Sequence, residues 1–290
     1  MLLRTEHLTK DYGRFRALED LNLEVAAGEV FGVLGPNGSG KSTALRLLLG
    51  FLRPTAGRAL IAGRDCWSDG VAARRHVAYL PGELRLYENM TCRQLVRFLS
   101  RLRGLEVGAE LDALAARFDL DLNRPIASLS SGMKRKAALL QVLHARAPLL
   151  IMDEPTNTLD PNMRDELLQQ VREAREQGQA VVFSSHVLSE VEQVCDRVAV
   201  LRAGRLAHLQ NMAELREGRL VRARLAEPWR PEALPDGLVV REHEKDRLTL
   251  EYRGPLPPLL TWLARQPLAD LRLEPLGLAA VYYRYHGADE

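Results

Sequence analysis

Apolar and polar positions follow two different periods along this chain. Near the N-terminus, apolar residues alternate with polar ones or form short runs between glycines, a pattern typical of strands. From Thr91 to about Phe118 they recur at every third or fourth position instead, as on one face of a helix. The sequence therefore predicts a β-rich beginning and then a helical insertion. The strand-like segments are 2–5, 21–25, 30–34 and 59–61.

Strand and helix patterns alternate after the insertion. Short apolar runs at 149–152, 180–184 and 198–201 are typical of buried strands. Asp160 and Pro161 form a good helix start, because an Asp side chain caps the first turn and Pro fits the first helical position. This alternation predicts an α/β core with a parallel sheet. The helical patterns cover 131–146, 163–177 and 187–194.

The composition changes after about Arg219. Eight of the 15 prolines and two of the three tryptophans lie in this tail. Because such a shift is typical of a domain boundary, we predict a main domain over 1–218 and a small α+β accessory domain over 219–290. The tail's strand patterns cover 220–225, 238–240 and 248–252, and its helix patterns cover 258–265 and 278–285.

Composition narrows the class of protein only slightly. The 290 residues are 46% hydrophobic and 27% charged, as in ordinary globular chains, and the net charge of +2 gives no general nucleic-acid footprint. No apolar stretch approaches the roughly 20 residues that span a bilayer. The N-terminus carries Arg4, Glu6 and Lys10 instead of a signal-type apolar core, so we expect a cytoplasmic chain unless a partner holds it. Three scattered cysteines, Cys66, Cys92 and Cys195, lack metal-ligand spacing and predict reduced packing residues.

One motif carries specific chemistry. The segment from Gly35 to Ser42 fits G-x-x-x-x-G-K-[ST] and lies between a strand pattern and an apolar helical pattern, which is the context of a phosphate-binding loop. Lys41 would contact the β- and γ-phosphates, and the Ser42 hydroxyl would bind Mg²⁺. The alternative is a glycine-rich turn that carries a lysine. The candidate nucleotide-binding residues are Gly35, Pro36, Asn37, Gly38, Ser39, Gly40, Lys41, Ser42 and Thr43.

Two acids end the apolar strand at 149–152. Asp153 and Glu154 therefore lie at the carboxyl edge of the predicted parallel sheet, where such folds bind ligands. We expect Asp153 to hold Mg²⁺ with Ser42 and Glu154 to activate the attacking water, because phosphoryl transfer needs positioning and charge neutralisation. The alternative is an acidic strand end that faces solvent.

Several elements in order resemble the ATP-binding subunit of ABC transporters over about residues 1 to 210. Two of these elements are the phosphate-binding loop and the two acids. The others are Tyr12, the segments 129–133 and 158–160, and His186, which follows the strand pattern at 180–184. The resemblance implies that Tyr12 stacks on adenine and that His186 reaches the γ-phosphate and the catalytic water. Each has a plainer interpretation as a packing or structural residue. Implied contacts with ATP on a second protomer are Ser130, Ser131, Gly132 and Asp160.

The same resemblance implies a fold and a function. The fold is a P-loop NTPase (ABC ATPase) core with an antiparallel β-subdomain and a helical subdomain at about 84–147, followed by the α+β domain. The function is ATP hydrolysis with Mg²⁺ in a head-to-tail dimer, paired with transmembrane permease subunits on the inner face of the membrane. The segments 81–104 and 276–283 are similar to exporter subunits. No nucleic-acid partner is expected.

The sequence departs from the family pattern in three places. Gly82 and then Glu83 stand where a glutamine is usual, and Glu83 is a candidate oxygen ligand for the metal. Ser131 and Met133 replace glycine and glutamine in the 129–133 segment, where Lys134 would restore an anion contact. Thr156, Asn157 and Thr158 replace the more usual Ser-Gly/Ala pattern. These departures predict slower or weaker turnover without loss of binding.

Two other functions remain open at this point. One is a soluble ABC-type ATPase acting on ribosomes, DNA ends or iron–sulfur assembly, which the absence of a second motif set and of a basic stripe disfavours. The other is a regulatory module that binds nucleotide without turnover. Arginines on the helical insertion, Arg93, Arg97, Arg101 and Arg103, predict either a solvated face or a contact with an acidic helix of a membrane partner.

Overall fold

The chain has two compact units in the computed structural model, which describes residues 1–229 and 234–286. One unit extends from Met1 to Leu209 and the other begins at Gln210. The predicted boundary after residue 218 therefore lies inside the second unit. The reason is local, because the Leu276 N–H donates to the Gly218 carbonyl at 3.0 Å and ties this stretch to the tail.

Two sheets form the first unit. An antiparallel sheet has the order β2-β1-β4-β5, and a six-stranded sheet has the order β10-β9-β3-β8-β7-β6. The strands are β1 Leu3–Tyr12, β2 Phe15–Val25, β3 Val30–Leu34, β4 Ala56–Ile61, β5 Arg64–Asp65, β6 Val77–Leu80, β7 Leu149–Asp153, β8 Ala180–Ser185, β9 Arg197–Arg202 and β10 Arg205–Asn211.

Helices surround these sheets and continue into the second unit. The predicted helical insertion is present as two helices, α3 and α4, because Gly104 ends the first of them in a left-handed conformation. The helices are α1 Lys41–Leu48, α2 Gly70–Arg74, α3 Cys92–Leu102, α4 Ala109–Arg117, α5 Ser131–His144, α6 Pro161–Glu176, α7 Leu188–Val194, α8 Met212–Glu217, α9 Leu256–Leu263 and α10 Leu278–His286, with a 3₁₀ turn at Ile126–Ser128.

The central parallel strands bring three chain segments to one sheet edge. Strands β3, β7 and β8 are buried throughout, which explains their continuous apolar runs. Leu34 at the end of β3 pairs with Ser185 of β8, and Asp153 at the end of β7 pairs with Ser184. The segments that follow these three strands therefore begin side by side. They carry the phosphate-loop motif, the second acid and the histidine.

A separate antiparallel sheet forms the second unit, with the order β12-β13-β11-β14. Leu248, Leu250 and Tyr252 project from β13 into a core that includes Leu259 and Leu263 of α9. The sequence analysis missed β14, because most of its side chains are exposed and prolines flank its alternating pattern. The strands are β11 Arg219–Leu225, β12 Leu238–Glu244, β13 Arg247–Tyr252 and β14 Leu268–Pro275.

Glu251 is a buried acid in this unit. Its carboxylate accepts hydrogen bonds from Arg241 at 2.7 Å, Arg284 at 2.9 Å and Arg253 at 3.3 Å. Burial raises the pKa of Glu251, but the three guanidinium groups outweigh it, Arg241 first, and hold the pKa below its usual value. Arg284 belongs to α10, so this carboxylate fastens the last helix to the sheet.

Replacing Glu251 by alanine should lower the free energy of unfolding of the second unit by about 2–3 kcal/mol. Breaking a fully buried ion pair costs about 3–5 kcal/mol, and here the arginines are half-exposed and can rehydrate. Because the folded pKa is lowered, this stabilisation is present above the unfolded pKa and is lost as pH falls through the folded value. Acid titration of tryptophan fluorescence in the whole chain would measure it, since Trp229 and Trp262 report on this unit.

Glu244 offers a matched control for that experiment. It lies exposed on β12 of the same sheet and forms no ion pair with another described residue. Glu244→Ala should leave the unfolding transition and its acid dependence unchanged. Equal transitions for the Glu251 and Glu244 variants would contradict the assigned role of the buried carboxylate.

Candidate functional site

The phosphate-loop motif connects β3 to α1. Gly35 has a φ of 156° and Gly40 a φ of 106°, values that side chains rarely allow. A Cβ at position 35 would stand 2.3 Å from Ser39 Oγ, and one at position 40 would stand 2.9 Å from the Ala17 carbonyl. Ser39 Oγ is buried without a hydrogen-bond partner among the described residues. The two glycines therefore let the loop fold tightly ahead of the helix.

Lys41 is buried at the centre of this loop. It donates hydrogen bonds to the carbonyls of Gly35 at 2.6 Å and Pro36 at 3.2 Å. Its Nζ lies 3.9 Å from a carboxylate oxygen of Glu154. Burial lowers the pKa of Lys41, while Glu154 and Asp153 oppose that change. The loop therefore holds an ammonium group among main-chain carbonyls that a phosphate group can replace as acceptors.

The two acids have different surroundings. Asp153 is buried, and its Oδ1 accepts a hydrogen bond from Ser184 Oγ at 2.6 Å. Glu154 has a left-handed backbone with φ 48°, and its N–H donates to the same Ser184 hydroxyl at 3.0 Å. Glu154 Oε2 lies 2.7 Å from His186 Nδ1. The structure thus brings the predicted acid and histidine into hydrogen-bond contact although 32 positions separate them.

A cavity of about 600 Å³ joins these groups. The phosphate loop forms one wall, and the segment after β6 forms another with Gly82, Glu83 and Arg85. Asp153 and Glu154 lie between them. The cavity therefore contains cationic, hydroxyl and carboxylate groups at the sheet edge where the sequence predicts a nucleotide site.

Phe15, rather than Tyr12, is the aromatic residue of the N-terminal hairpin that lines the cavity. The two residues pair across the strands β1 and β2, so their side chains share a face. Lys10 Nζ lies 5.2 Å from the centre of the Tyr12 ring, and the Phe15 ring is 64% exposed. Phe15 was not among the sequence candidates, because the family motif points to the earlier aromatic position.

The segment 129–133 begins α5. Ser130 caps that helix by accepting a hydrogen bond from the Met133 N–H at 3.3 Å. Ser131 is exposed, and a Cβ on Gly132 would stand 3.0 Å from the Thr158 carbonyl. Lys134 forms an ion pair with Glu88 at 2.6 Å. The Lys134 ammonium group is thus paired with a carboxylate in this structure, and the anion contact expected of it stays a prediction.

The loop after Glu154 contains a network that the sequence did not reveal. The Glu190 carboxylate is buried and accepts hydrogen bonds from Thr156 Oγ1 at 2.8 Å and Ser185 Oγ at 3.1 Å. Thr158 has a left-handed φ of 68°, and Asp160 then caps α6 through the Met163 N–H. The network ties the loop to β8. Only the apolar spacing of α7 could have indicated that Glu190 points inward.

Comparisons with known proteins agree with this geometry. Residues 18–157 match the family model described as "ABC transporter". A probable multidrug ABC transporter ATP-binding protein, YbhF of Escherichia coli, is 35% identical over 71% of this chain and 36% of its own length. A solved structure of an ATP-binding subunit of an ABC transporter is 31% identical, covers 74% of this chain and 92% of that one, and has a TM-score of 0.70.

The chain belongs to the ABC transporter ATP-binding family. Its first unit is an ABC ATPase domain with the P-loop fold. The ribose import ATP-binding protein RbsA of Hahella chejuensis is also 36% identical, over 70% of this chain and 43% of that protein. The chain thus spans well under half of these two relatives. The Nod factor export ATP-binding protein I of Rhizobium etli is 35% identical over 68% of this chain and 64% of that protein. Relatives are thus named for export and for import, so membership in the ABC family does not fix the direction.

Oxygen donors of this ABC domain fit a magnesium ion. Ser42 and Asp153 line the same cavity, and Asp153 Oδ2 accepts no hydrogen bond from a described residue. Mg²⁺ usually keeps several waters and needs only one or two carboxylate or hydroxyl ligands from the protein. Glu83 is exposed in the opposite wall as a further oxygen donor. Within residues 1–229 and 234–286, no cluster of three or more His, Cys, Asp or Glu side chains forms an all-protein metal site.

Proposed function

We propose that the chain is the ATP-hydrolysing subunit of a membrane ABC transporter, which couples head-to-tail dimer closure to substrate export through separate transmembrane subunits. The observation that carries the proposal is the contact between Glu154 and His186 beside Lys41, in a cavity formed by the phosphate loop. A regulatory module without turnover would not need a carboxylate and an imidazole joined at 2.7 Å in that position.

The residues divide the work of hydrolysis. Lys41 exchanges its contacts with the loop carbonyls for contacts with the β- and γ-phosphates. Ser42 and Asp153 would hold Mg²⁺, which would neutralise charge on these phosphates. Glu154 accepts a proton from a water as the water oxygen bonds to the γ-phosphorus, and His186 holds Glu154 and contacts the γ-phosphate. The bond from that phosphorus to the bridging oxygen breaks, which leaves ADP and inorganic phosphate.

A dimer completes the site. One chain carries one motif set, so Ser130, Ser131 and Gly132 would face the γ-phosphate bound by the partner, where the N-terminus of α5 favours an anion. Ser131 is exposed and available for such a contact. Asp160 would meet the opposite subunit. Closure on ATP and opening after hydrolysis then act as the conformational switch for the membrane partner.

An apolar groove on the helical subdomain is a candidate binding surface for a helix of the membrane partner. It lies between the segment after β6 and the helices α3 and α5, with a volume of about 230 Å³. Tyr87 lines it, and the Tyr87 and Phe98 rings meet edge to face at 5.9 Å while 53% and 39% exposed. Arg93 pairs with Asp112 of α4, which favours the solvated-face interpretation for this arginine. The apolar groove is therefore a better surface than the arginine face for contact with a helix of the membrane partner.

Affinity purification of the tagged chain from detergent-solubilised native membranes tests the proposed role. A polytopic membrane protein recovered in near-equal amount would support it, as would recovery with the inner membrane before extraction. The described residues contain no helix that is long and apolar enough to span a bilayer, so membrane recovery would require that partner. Recovery without a membrane protein, alone or with ribosomes or nucleic acid, would favour the soluble-ATPase alternative. Transport in vesicles then distinguishes export from import.

The aromatic ring that stacks on adenine provides a test of the nucleotide site. Phe15→Ala should raise the Kd for ATP by about 5- to 100-fold, since base–aromatic stacking contributes about 1–3 kcal/mol. Tyr12→Ala is the matched control and should change the Kd less, because the Tyr12 ring lies outside the cavity lining. Calorimetric titration of both variants measures the effect. The opposite ranking would assign the base to Tyr12, as the family motif implies.

A further inference from the structure

Arg135 connects the helical subdomain to the wall of the ATP cavity. It lies on α5, four positions after the first helical residue Ser131, and its side chain is 4% exposed. Its Nη1 donates to the Pro81 carbonyl at 2.9 Å and its Nη2 donates to the Gly82 carbonyl at 2.7 Å. The guanidinium group thus joins the start of α5 to the main chain that follows β6.

That main chain adjoins the acid that we assign to the metal. A Cβ at position 82 would stand 3.4 Å from Asp153 Oδ2. The other carboxylate oxygen, Oδ1, already accepts the hydrogen bond from Ser184. Oδ2 is therefore the oxygen left for a cation, and the Gly82 backbone is the wall beside it. Movement of residues 81–82 would change the space at the metal-binding oxygen.

The bonding of Arg135 is unusual for a buried charge. It forms no ion pair with any described residue, and its Nε is buried without a hydrogen-bond partner there. Two neutral carbonyls are its only hydrogen-bond partners among the described residues. A buried guanidinium group without an ion-pair partner destabilises the fold relative to a paired one. Such groups are found where their position contributes to a functional site. Burial lowers the pKa of Arg135, while Asp153 and Glu154 oppose that change, so its charge also acts on both acids.

We propose that Arg135 is a positioning residue that holds the Gly82 main chain against Asp153 and links the metal-binding edge of one ATP site to the position of α5. The inference rests on the proposed function, because α5 also carries the segment assigned to the partner's γ-phosphate. Displacement of α5 on contact with that phosphate is passed to residues 81–82 through the two hydrogen bonds. The metal-binding part of the site in one protomer is then fully ordered only when α5 of that protomer contacts the γ-phosphate bound by its partner.

Arg103 provides a matched control. It also reaches from the helical subdomain to β6, where its Nη2 donates to the Val77 carbonyl. Its side chain is more exposed than that of Arg135, and it forms no ion pair with another described residue. Val77 begins β6, at the end of the strand away from the cavity, whereas Pro81 follows the other end. Arg103→Met therefore removes a hydrogen bond between the helical subdomain and β6 without touching the metal-binding edge.

The test compares Arg135→Met, Arg135→Lys and Arg103→Met in the full chain. For Arg135→Met we expect at least a tenfold loss of kcat and a several-fold rise in the Mg²⁺ concentration that gives half-maximal rate, because small misplacements at a reacting centre reduce rates strongly. The Kd for ATP in EDTA should change less than twofold, since the phosphate loop is untouched. Arg135→Lys should recover part of both losses, because an ammonium group can donate to both carbonyls.

Thermal unfolding separates positioning from stability. If the Met variants of Arg135 and Arg103 lose stability, kcat and Mg²⁺ response in parallel, Arg135 is only a structural contact and the inference is overturned. If Arg135→Met does not fold, wild-type kcat and Mg²⁺ response in Arg135→Lys together with Arg135→Gln would overturn it equally. Absence of Mg²⁺-dependent hydrolysis in the wild-type chain would instead contradict the proposed function itself.

Discussion

Glu154→Gln should reduce ATP hydrolysis by about 10²- to 10⁴-fold while ATP still binds. A positioned general base contributes about this factor, and a glutamine amide cannot take the proton from the attacking water. The substitution keeps the size of the side chain and one oxygen, so the His186 contact at 2.7 Å and the neighbouring Lys41 lose little support. With hydrolysis blocked, the closed state that ATP favours should persist.

Steady-state phosphate release and light scattering with ATP would measure these two effects. Glu176→Gln is the matched control, because Glu176 is exposed at the end of α6 and does not line the cavity. The control should keep most of its turnover and should not accumulate as an ATP-dependent dimer. Hydrolysis by the Glu154 variant at the wild-type rate would show that another group is the base.

Lys41→Ala should weaken ATP binding by roughly ten- to a hundredfold. A hydrogen bond to a charged group contributes about 1.5–3 kcal/mol, and Lys41 is the cation closest to Glu154 in the loop. Its removal also frees the carbonyls of Gly35 and Pro36, which no longer have the ammonium group between them. Turnover should fall at least as far as affinity, because the variant lacks the ammonium group that would compensate the charge developing on the γ-phosphate in the transition state.

Calorimetric titration with ATP would measure the loss of affinity directly. Lys134→Ala is a suitable control, since Lys134 is paired with Glu88 and does not line the cavity. Its affinity for ATP as a monomer should equal that of the wild type. Unchanged ATP binding by the Lys41 variant would refute the assignment of residues 35–43 as the phosphate loop.

The sequence predicted those parts of the molecule that local chemistry determines. The family and the ABC ATPase fold are confirmed by the comparisons and by the strand order of the central sheet. Asp160 caps α6 and Ser130 caps α5, as their residue types indicate. Residues that follow the strands of a parallel sheet meet at its carboxyl edge, and for this reason the sequence could place Asp153 and Glu154 there. The position of His186 was instead implied by the resemblance to the family.

Other features depend on contacts between distant segments, and no local pattern encodes them. The alternation in β14 is too polar to distinguish an edge strand from a loop. Whether Lys134 meets a phosphate or Glu88 depends on how α5 lies against residue 88. The choice between Tyr12 and Phe15 depends on which ring of a hairpin pair leans toward the phosphate loop. Arg135 resembles any arginine of a helix start until its two carbonyl partners are known.

The contact between Gly132 and Thr158 has a consequence for natural sequence variation. Gly132 does not have a positive φ, so its backbone would accept any residue, yet even the methyl group of alanine would stand 3.0 Å from the Thr158 carbonyl. Thr158 cannot easily yield, because its own φ of 68° is already unfavourable for a β-branched residue. Any side chain at position 132 would therefore require the Thr158 carbonyl to move, whereas the side chain of Ser131 next to it is exposed. This predicts that a single carbonyl oxygen restricts position 132 to glycine among related sequences.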